Sequence, residues 1–129
     1  PYQVGGLFTS TENVEENREM VEKFVRAYQK GVADYRAALL ATDADGKLVE
    51  SDTTQEILEI VHKYVYANDP ADKAYPKIRN GAMFITEEAR LDVADVRAQV
   101  KWYQDRGFVS ADADPAKFID TSFIPALTE

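Results

Sequence analysis

Few residues of this chain have types and spacings that could carry out chemistry, and none of them forms a catalytic motif. His62 is the single histidine and there is no cysteine, which excludes His-cluster and cysteine-based zinc sites and thiol nucleophiles. A Ser-His-Asp triad would depend on His62 alone. His62 lies beside Lys63 in a helical pattern, with no nucleophile at a matching spacing. We therefore interpret His62 as a partly exposed helix residue.

Carboxylates and glycines form weaker patterns. Asp43, Asp45 and Gly46 resemble the first half of a calcium loop, but the later ligands are out of register, so we interpret them as a solvated turn. The acidic pairs Glu15–Glu16 and Glu87–Glu88 lie near predicted helix starts, where the helix dipole favours negative charge. The pair Gly5–Gly6 is too short for a phosphate loop. The chain therefore predicts no enzyme, no cofactor and no metal site.

Aromatic side chains are the remaining groups that could hold a ligand, by stacking on a planar ring. At helical spacing most of them are better explained as core or interface residues, because aromatic rings dominate both environments. The candidates are Tyr64, Tyr66, Tyr75, Trp102 and Tyr103.

Length and charge set the class of protein. The chain has 129 residues, of which 45% are hydrophobic, and a formal net charge of −8, which is typical of one globular domain. An acidic chain is repelled by phosphate backbones, so we expect no nucleic-acid partner. No apolar run approaches the 18 residues of a membrane span.

The elements that must position these residues are mainly helical. Residues 2–9 are aromatic and β-branched and form the one strand candidate, although Gly5 and Gly6 weaken its interior. Apolar residues at spacings of three and four predict the helices. The predicted fold class is mainly α with one N-terminal β-strand. The helices are predicted over residues 18–41, 54–67 and 93–106, with helical turns over 70–75 and 115–119.

Capping residues set the predicted helix ends. Asn17 caps the first helix, Thr53 with Glu56 forms a capping box on the second, and Asp92 caps the third. Gly107 ends the third helix in a left-handed conformation. Pro76 is expected to end the helical turn that Pro70 begins, because proline disrupts a helix interior.

The strand over residues 2–9 needs a partner, because a sheet requires several strands. That partner is a second short strand, another chain or a sheet outside this sequence, and a homodimer that pairs the residue 2–9 strands is one such state. The chain also opens abruptly at Pro1 in this strand. We therefore expect residues 1–129 to be a single domain or a fragment of a longer protein.

Three ordered segments resemble the C-terminal part of periplasmic solute-binding proteins of the nitrate, taurine and sulfonate transport class, which includes binders of thiamine-pyrimidine precursors. The resemblance covers nearly the whole chain. Each segment consists of helix caps and packing residues, and their order is more specific than any one of them. The segments are the strand and capped helix from Phe8 to Tyr28, the run from Arg90 through Trp102 to Val109, and the end from Phe118 to Ile124.

The resemblance implies a substrate-binding component of an ABC importer, with the fold of the C-terminal portion of a type II periplasmic-binding-protein α/β lobe. Residues 2–9 would return through the hinge into the sheet of the other lobe. It implies a small-molecule solute and a membrane permease as partners, and a periplasmic or extracytoplasmic location. The residues it places nearest the ligand cleft are Tyr2, Gln3, Gly5 and Gly6.

Two other functions stay open at this stage. The chain is a free-standing helical interaction module if the aromatic faces of its first and third helices bind a partner protein. A pyrimidine synthase shares the fold family and consumes its own active-site histidine. Here His62 would have to serve, and the cysteines expected around such a site are absent.

Overall fold

The computed structural model describes residues 2–128, and these are mainly α-helical, which confirms the predicted helical class. The chain divides into two compact units, Pro1–Ala27 with Glu88–Glu129 and Tyr28–Glu87. The α-helices are α1 (Thr11–Glu16), α2 (Arg18–Leu39), α3 (Thr54–Val65), α4 (Ala71–Asn80) and α5 (Val93–Asp105), and two 3₁₀ turns cover Glu87–Ala89 and Pro115–Lys117.

The predicted N-terminal strand is wrong for the described part of the chain. Residues 2–9 adopt no regular secondary structure, because no neighbouring strand supplies the ladder of backbone hydrogen bonds that defines one. The β-pairing found within residues 2–128 is limited to two isolated bridges, Thr42 with Leu48 and Asp92 with Thr128. Pro1, which directly precedes the predicted strand, lies outside the described residues.

Helix α1 is an element that the sequence analysis did not predict. The Ser10 hydroxyl accepts a hydrogen bond from the Asn13 N–H at 3.2 Å, so Ser10 caps α1. Asn17 then interrupts the helical path at φ −123° and ψ 32°, and its carbonyl accepts from the Val21 N–H at the start of α2. Asn17 therefore separates two helices.

The second unit has a core between the end of α2 and the helices α3 and α4. Leu58 is its most buried large side chain, with 1% of its surface exposed. The Thr54 hydroxyl donates to the Ala38 carbonyl at 3.0 Å and ties the start of α3 to α2. This bond replaces the predicted capping box, since the Thr53 side chain makes no capping hydrogen bond. The buried core residues are Ala38, Leu39, Leu58, Ala74 and Ile78.

Helix α4 corrects the prediction that Pro76 ends the turn begun at Pro70. The helix runs through Pro76 to Asn80, although proline removes one backbone hydrogen bond. Ala74 and Ile78 lie on either side of Pro76 and are both buried in the core of the second unit. Their burial offsets the missing bond, so packing overrides the local preference.

Helix α5 agrees with its predicted signals. The Asp92 carboxylate accepts a hydrogen bond from the Asp95 N–H at 3.0 Å, which confirms Asp92 as the cap. Gly107 has φ +72°, the left-handed conformation that favours glycine. Near the end of the chain, the Arg18 guanidinium lies 4.3 Å from the Phe123 ring centre and donates to the Ser122 hydroxyl. These contacts hold residues 122–123 on the start of α2.

Substitution of Leu58 by alanine tests the core of the second unit. We expect Leu58→Ala to lower the free energy of unfolding by about 3 kcal/mol, because the lost methyl groups leave a cavity in a packed core. Ile60→Ala on the same helix is the matched control: Ile60 is 45% exposed, so its loss should cost about 1 kcal/mol or less. Urea unfolding followed by circular dichroism measures both, and equal losses would contradict this core.

Candidate functional site

The residues predicted to contact a ligand, Tyr2, Gln3, Gly5 and Gly6, lie in the open segment, which we define as residues 2–9. Gln3 is half-buried, whereas Tyr2, Gly5 and Gly6 are exposed. A Cβ placed on Gly6 would lie 3.8 Å from Leu91 Cδ1, and one on Gly5 would meet nothing within 4 Å. The structure thus brings Gln3 and Gly6 beside the start of α5 and leaves Tyr2 and Gly5 facing open space.

Gln3 attaches the open segment to the first turns of α5. Its backbone N–H donates to Asp95 Oδ2 at 2.6 Å, and its backbone carbonyl accepts from Gln99 Nε2 at 3.0 Å. Its side-chain Oε1 accepts from the Asp92 N–H at 3.1 Å. Gln99 Nε2 also donates to Asp95 Oδ2 at 2.7 Å. Every polar group of Gln3 named here has a partner on or next to α5, so this residue sets the orientation of the segment.

The C-terminal residues are held at the same helix start. The Thr128 hydroxyl donates to Asp92 Oδ1 and accepts from the Ala94 N–H. The Leu127 N–H donates to the Leu91 carbonyl at 2.8 Å. The hydrogen bond from Thr128, followed by the one from the Asp95 N–H, lowers the pKa of Asp92 below its usual value. We name the group Gln3, Asp92, Asp95, Gln99 and Thr128 the α5 anchor.

Hydrogen bonding is uneven along the open segment. The backbone of Gln3 bonds to the α5 anchor, and the Gly5 carbonyl accepts from the Gln3 side chain. The backbone groups of Val4, Gly6 and Phe8 have no hydrogen-bond partner within residues 2–128. We call Val4, Gly6 and Phe8 the outer edge.

The outer edge is also apolar. Val4 is 71% exposed and Phe8 is 93% exposed. No charged residue occurs between Tyr2 and Thr11. Unpaired backbone groups next to exposed apolar side chains are the features by which a sheet edge binds another strand. The arrangement can therefore bind polypeptide by main-chain hydrogen bonding.

His62 has a structural environment in the second unit. Its Nε2 donates to the Asp69 carbonyl at 2.8 Å, and its ring meets the Tyr75 ring edge-on at 5.7 Å between centres. Lys77 Nζ pairs with the Asp69 carboxylate at 2.6 Å. These contacts join α3 to α4. The groups they bring to the imidazole are a backbone carbonyl and a tyrosine ring, and neither is a serine or threonine hydroxyl that could act as a nucleophile.

The acidic patterns also have local partners. Asp43 Oδ1 accepts the N–H groups of Asp45 and Lys47, both at 3.0 Å, which is the hydrogen bonding of a turn. Glu87 Oε1 lies 3.8 Å from Arg36 Nη2, and Glu88 Oε2 lies 3.6 Å from Arg90 Nε. No group of three or more potential metal ligands occurs among residues 2–128.

An aromatic cluster lies at the C-terminal end of α5 in the first unit. The ring of Trp102 lies 5.0 Å from that of Tyr103 and 6.4 Å from that of Phe108, between ring centres. The Arg106 guanidinium covers the Trp102 ring at 3.7 Å. All three rings are exposed. The sequence analysis named Trp102 and Tyr103 as stacking or interface candidates, and the structure adds Phe108 and Arg106.

Sequence reasoning missed most of the α5 anchor. Asp92 was interpreted as a helix cap only, and no binding role was predicted for Asp95, Gln99 or Thr128. The Asp95 carboxylate accepts a hydrogen bond from the backbone N–H of Gln3, which is 92 positions away in the chain. The one visible sign of the anchor was a pair of aspartates three residues apart. The capping bond uses the Asp92 carboxylate, so the Asp95 carboxylate is available to bind a distant part of the chain.

Comparison with known proteins adds no relative: no family model, no curated protein and no solved structure matches this chain. The structure also has no helix, among the residues it describes, that combines the length and apolar character needed to cross a bilayer.

The α5 anchor predicts a pH dependence of stability. Because the folded pKa of Asp92 is lowered, its contribution is fully present above the unfolded pKa of about 3.9 and is lost as the pH falls through the folded pKa. Thr128→Val removes the first cause of the lowering, so the pKa of Asp92 should rise toward its ordinary value. Carbon-13 NMR titration of the carboxyl group measures it, with Thr42→Val as the control. An unchanged pKa in Thr128→Val would contradict the anchor.

Proposed function

We propose that this chain is the C-terminal part of the solute-binding component of an ABC importer. The observation that supports the proposal is the unpaired outer edge of the open segment. In the resembling family, the corresponding segment passes through the hinge and joins the sheet of the other lobe. Val4, Gly6 and Phe8 would then obtain the backbone partners that residues 2–128 do not provide.

The α5 anchor supports the same proposal because it orients the segment. The anchor binds the backbone of Gln3 and leaves the backbone groups of Val4, Gly6 and Phe8 without partners within residues 2–128. These three residues carry no charge that would oppose burial. A segment that is held at Gln3 and unpaired beyond it is suited to join a sheet supplied by other polypeptide.

Tyr2, Gln3, Gly5 and Gly6 are the proposed ligand contacts. Tyr2 is 64% exposed and offers a ring and a hydroxyl. At Gly5 the space beside the backbone is open, so a small solute can approach the main chain directly. The proposed solutes are nitrate, taurine, other sulfonates or a pyrimidine precursor. Binding would favour the closed arrangement of the two lobes through its differential affinity for that state, and the closed form would deliver the solute to a membrane permease from the extracytoplasmic side.

A second candidate is a non-enzymatic interaction module, and the aromatic cluster favours it. Exposed Trp102, Tyr103 and Phe108 next to Arg106 have the residue types that dominate binding energy at protein interfaces. This function would use the cluster without any solute. The two candidates differ in their dependence on small molecules.

Thermal shift tests the solute-binding proposal, using the protein encoded by the complete gene. About 150–200 further residues encoded before Pro1 would supply the other lobe. A solute present at 100 times its dissociation constant should stabilise that protein by about 2.7 kcal/mol. The probes are nitrate, taurine, an alkanesulfonate and an aminopyrimidine.

The matched variants for this test are Tyr2→Ala and Tyr64→Ala, two exposed tyrosines in different units. Tyr2→Ala should reduce the shift and Tyr64→Ala should leave it unchanged. A reading frame that starts at Pro1, or no shift with any of the four probes, would refute the proposal. A stable complex with another protein that Trp102→Ala abolishes would favour the interaction module.

A further inference from the structure

We infer that the Asn80–Gly81 peptide at the end of α4 is a site of spontaneous deamidation, which a hydrogen bond from Tyr35 restrains. The inference does not depend on the proposed solute-binding function. In this reaction, the backbone nitrogen of the residue that follows an asparagine attacks the carbon of the asparagine side-chain amide. The reaction needs only water in addition to the chain itself.

Sequence and exposure together select Asn80 from the four asparagines of the chain. A Cβ on the following residue hinders the attack, and Gly81 has no Cβ. The Asn80 side chain is exposed and makes no hydrogen bond within residues 2–128, so it is free to rotate toward its own backbone. The residues that follow the other three asparagines all carry side chains and are Val14, Arg18 and Asp69.

The covalent step is an exchange of one amide bond for another. The Gly81 nitrogen loses its proton to solvent and forms a bond to Asn80 Cγ. The bond between Cγ and Nδ2 of Asn80 breaks, and Nδ2 takes up a proton and leaves as ammonia. Water then opens the resulting succinimide ring at either carbonyl, which gives aspartate or isoaspartate. Because the attacking nitrogen must lose a proton, the reaction is faster at mildly alkaline pH.

The last turn of α4 controls access to the attacking nitrogen. The Gly81 N–H donates to the Lys77 carbonyl at 2.9 Å. Attack requires that this bond break and that Asn80 leave the helical conformation, so that its Cγ meets the Gly81 nitrogen. Asn80 is the final residue of α4, so this opening leaves the earlier turns intact. Helix ends open at a lower free-energy cost than helix interiors.

The residues after α4 determine how readily that turn opens, because rotation at Asn80 displaces them. Ala82 packs against the core of the second unit. The Tyr35 hydroxyl donates to the Met83 carbonyl at 3.1 Å and ties this segment to α2. Burial raises the pKa of Tyr35 above its ordinary value, so the hydroxyl remains a donor at the alkaline pH that favours the reaction. Tyr35 therefore restrains the opening.

Deamidation turns a neutral helix end into a charged one. The product carries a carboxylate at the C-terminal end of α4, where the helix dipole disfavours negative charge. Isoaspartate also adds a carbon atom to the main chain, which changes the position of the Gly81 N–H relative to the Lys77 carbonyl. Both effects favour the open form of the last turn.

Peptide mass spectrometry of the folded protein, incubated at mildly alkaline pH, tests the site. The peptide that contains Asn80 should gain the mass of deamidation, and an isoaspartyl methyltransferase should methylate it. Asn68 is the internal control, since it is also exposed but is followed by an aspartate, and it should gain much less. Asn80→Gln keeps an amide at the position and should abolish the gain, because its longer side chain closes a ring far more slowly.

Two results of this experiment would overturn the site. One is no gain at Asn80 in the folded protein under conditions in which the urea-unfolded chain gains it. The other is an equal gain at Asn68 and Asn80, because attack would then not depend on the glycine.

Tyr35→Phe tests the restraint, because it removes the hydroxyl and keeps the ring. The rate of deamidation at Asn80 should rise about fivefold, which is the effect of losing one typical hydrogen bond from the closed state. Tyr28→Phe is the matched control, since Tyr28 is a half-buried tyrosine on the same helix, and it should leave the rate unchanged. Equal rates in the two variants would refute the role of Tyr35.

Discussion

The hydrogen bonds at the start of α5 are the constraint on which the first unit depends. A helix leaves its first N–H groups without partners inside the helix. Here the Asp95 N–H bonds to the adjacent Asp92 carboxylate, the Ala94 N–H to Thr128, and the Asp92 N–H to Gln3. One helix start therefore collects groups from both ends of the chain. Asp92 is buried although it is charged, and the hydrogen bonds that it accepts make this burial tolerable.

The same bonds hold the open segment at one point. Asp95 and Gln99 bind the backbone of Gln3, whereas the backbone groups of Val4, Gly6 and Phe8 have no partner within residues 2–128. The solute-binding proposal uses these unpaired groups, which would join the sheet of another lobe by main-chain hydrogen bonding and apolar contact.

The second unit is stabilised in a different way, by burial of apolar side chains between helices. Leu58, Ala74 and Ile78 are packed out of solvent, and the polar contacts around them join neighbouring helices. Thr54 bonds to the Ala38 carbonyl, and His62 bonds to the Asp69 carbonyl. The single histidine is thereby explained as a contact between α3 and the segment before α4. Chemistry by His62 is not required to account for its position.

The sequence by itself determined the features that are encoded within one or two turns of chain. Apolar spacing predicted α2, α3 and α5, and the Asp92 cap, the left-handed Gly107 and the Asp43–Gly46 turn are confirmed. Each depends on neighbours fewer than about five residues away, because capping and turn bonds are local.

Tertiary structure decided everything that depends on residues far apart in the chain. The burial of Ala74 and Ile78 carries α4 through Pro76, which local preference predicted as an end. The pattern of residues 2–9 predicted a strand, but a strand exists only where another backbone pairs with it, and residues 2–128 supply α5 side chains instead. Gln99 and Thr128 entered the α5 anchor without a sequence signal, since contacts across 34 to 96 positions leave no local periodicity.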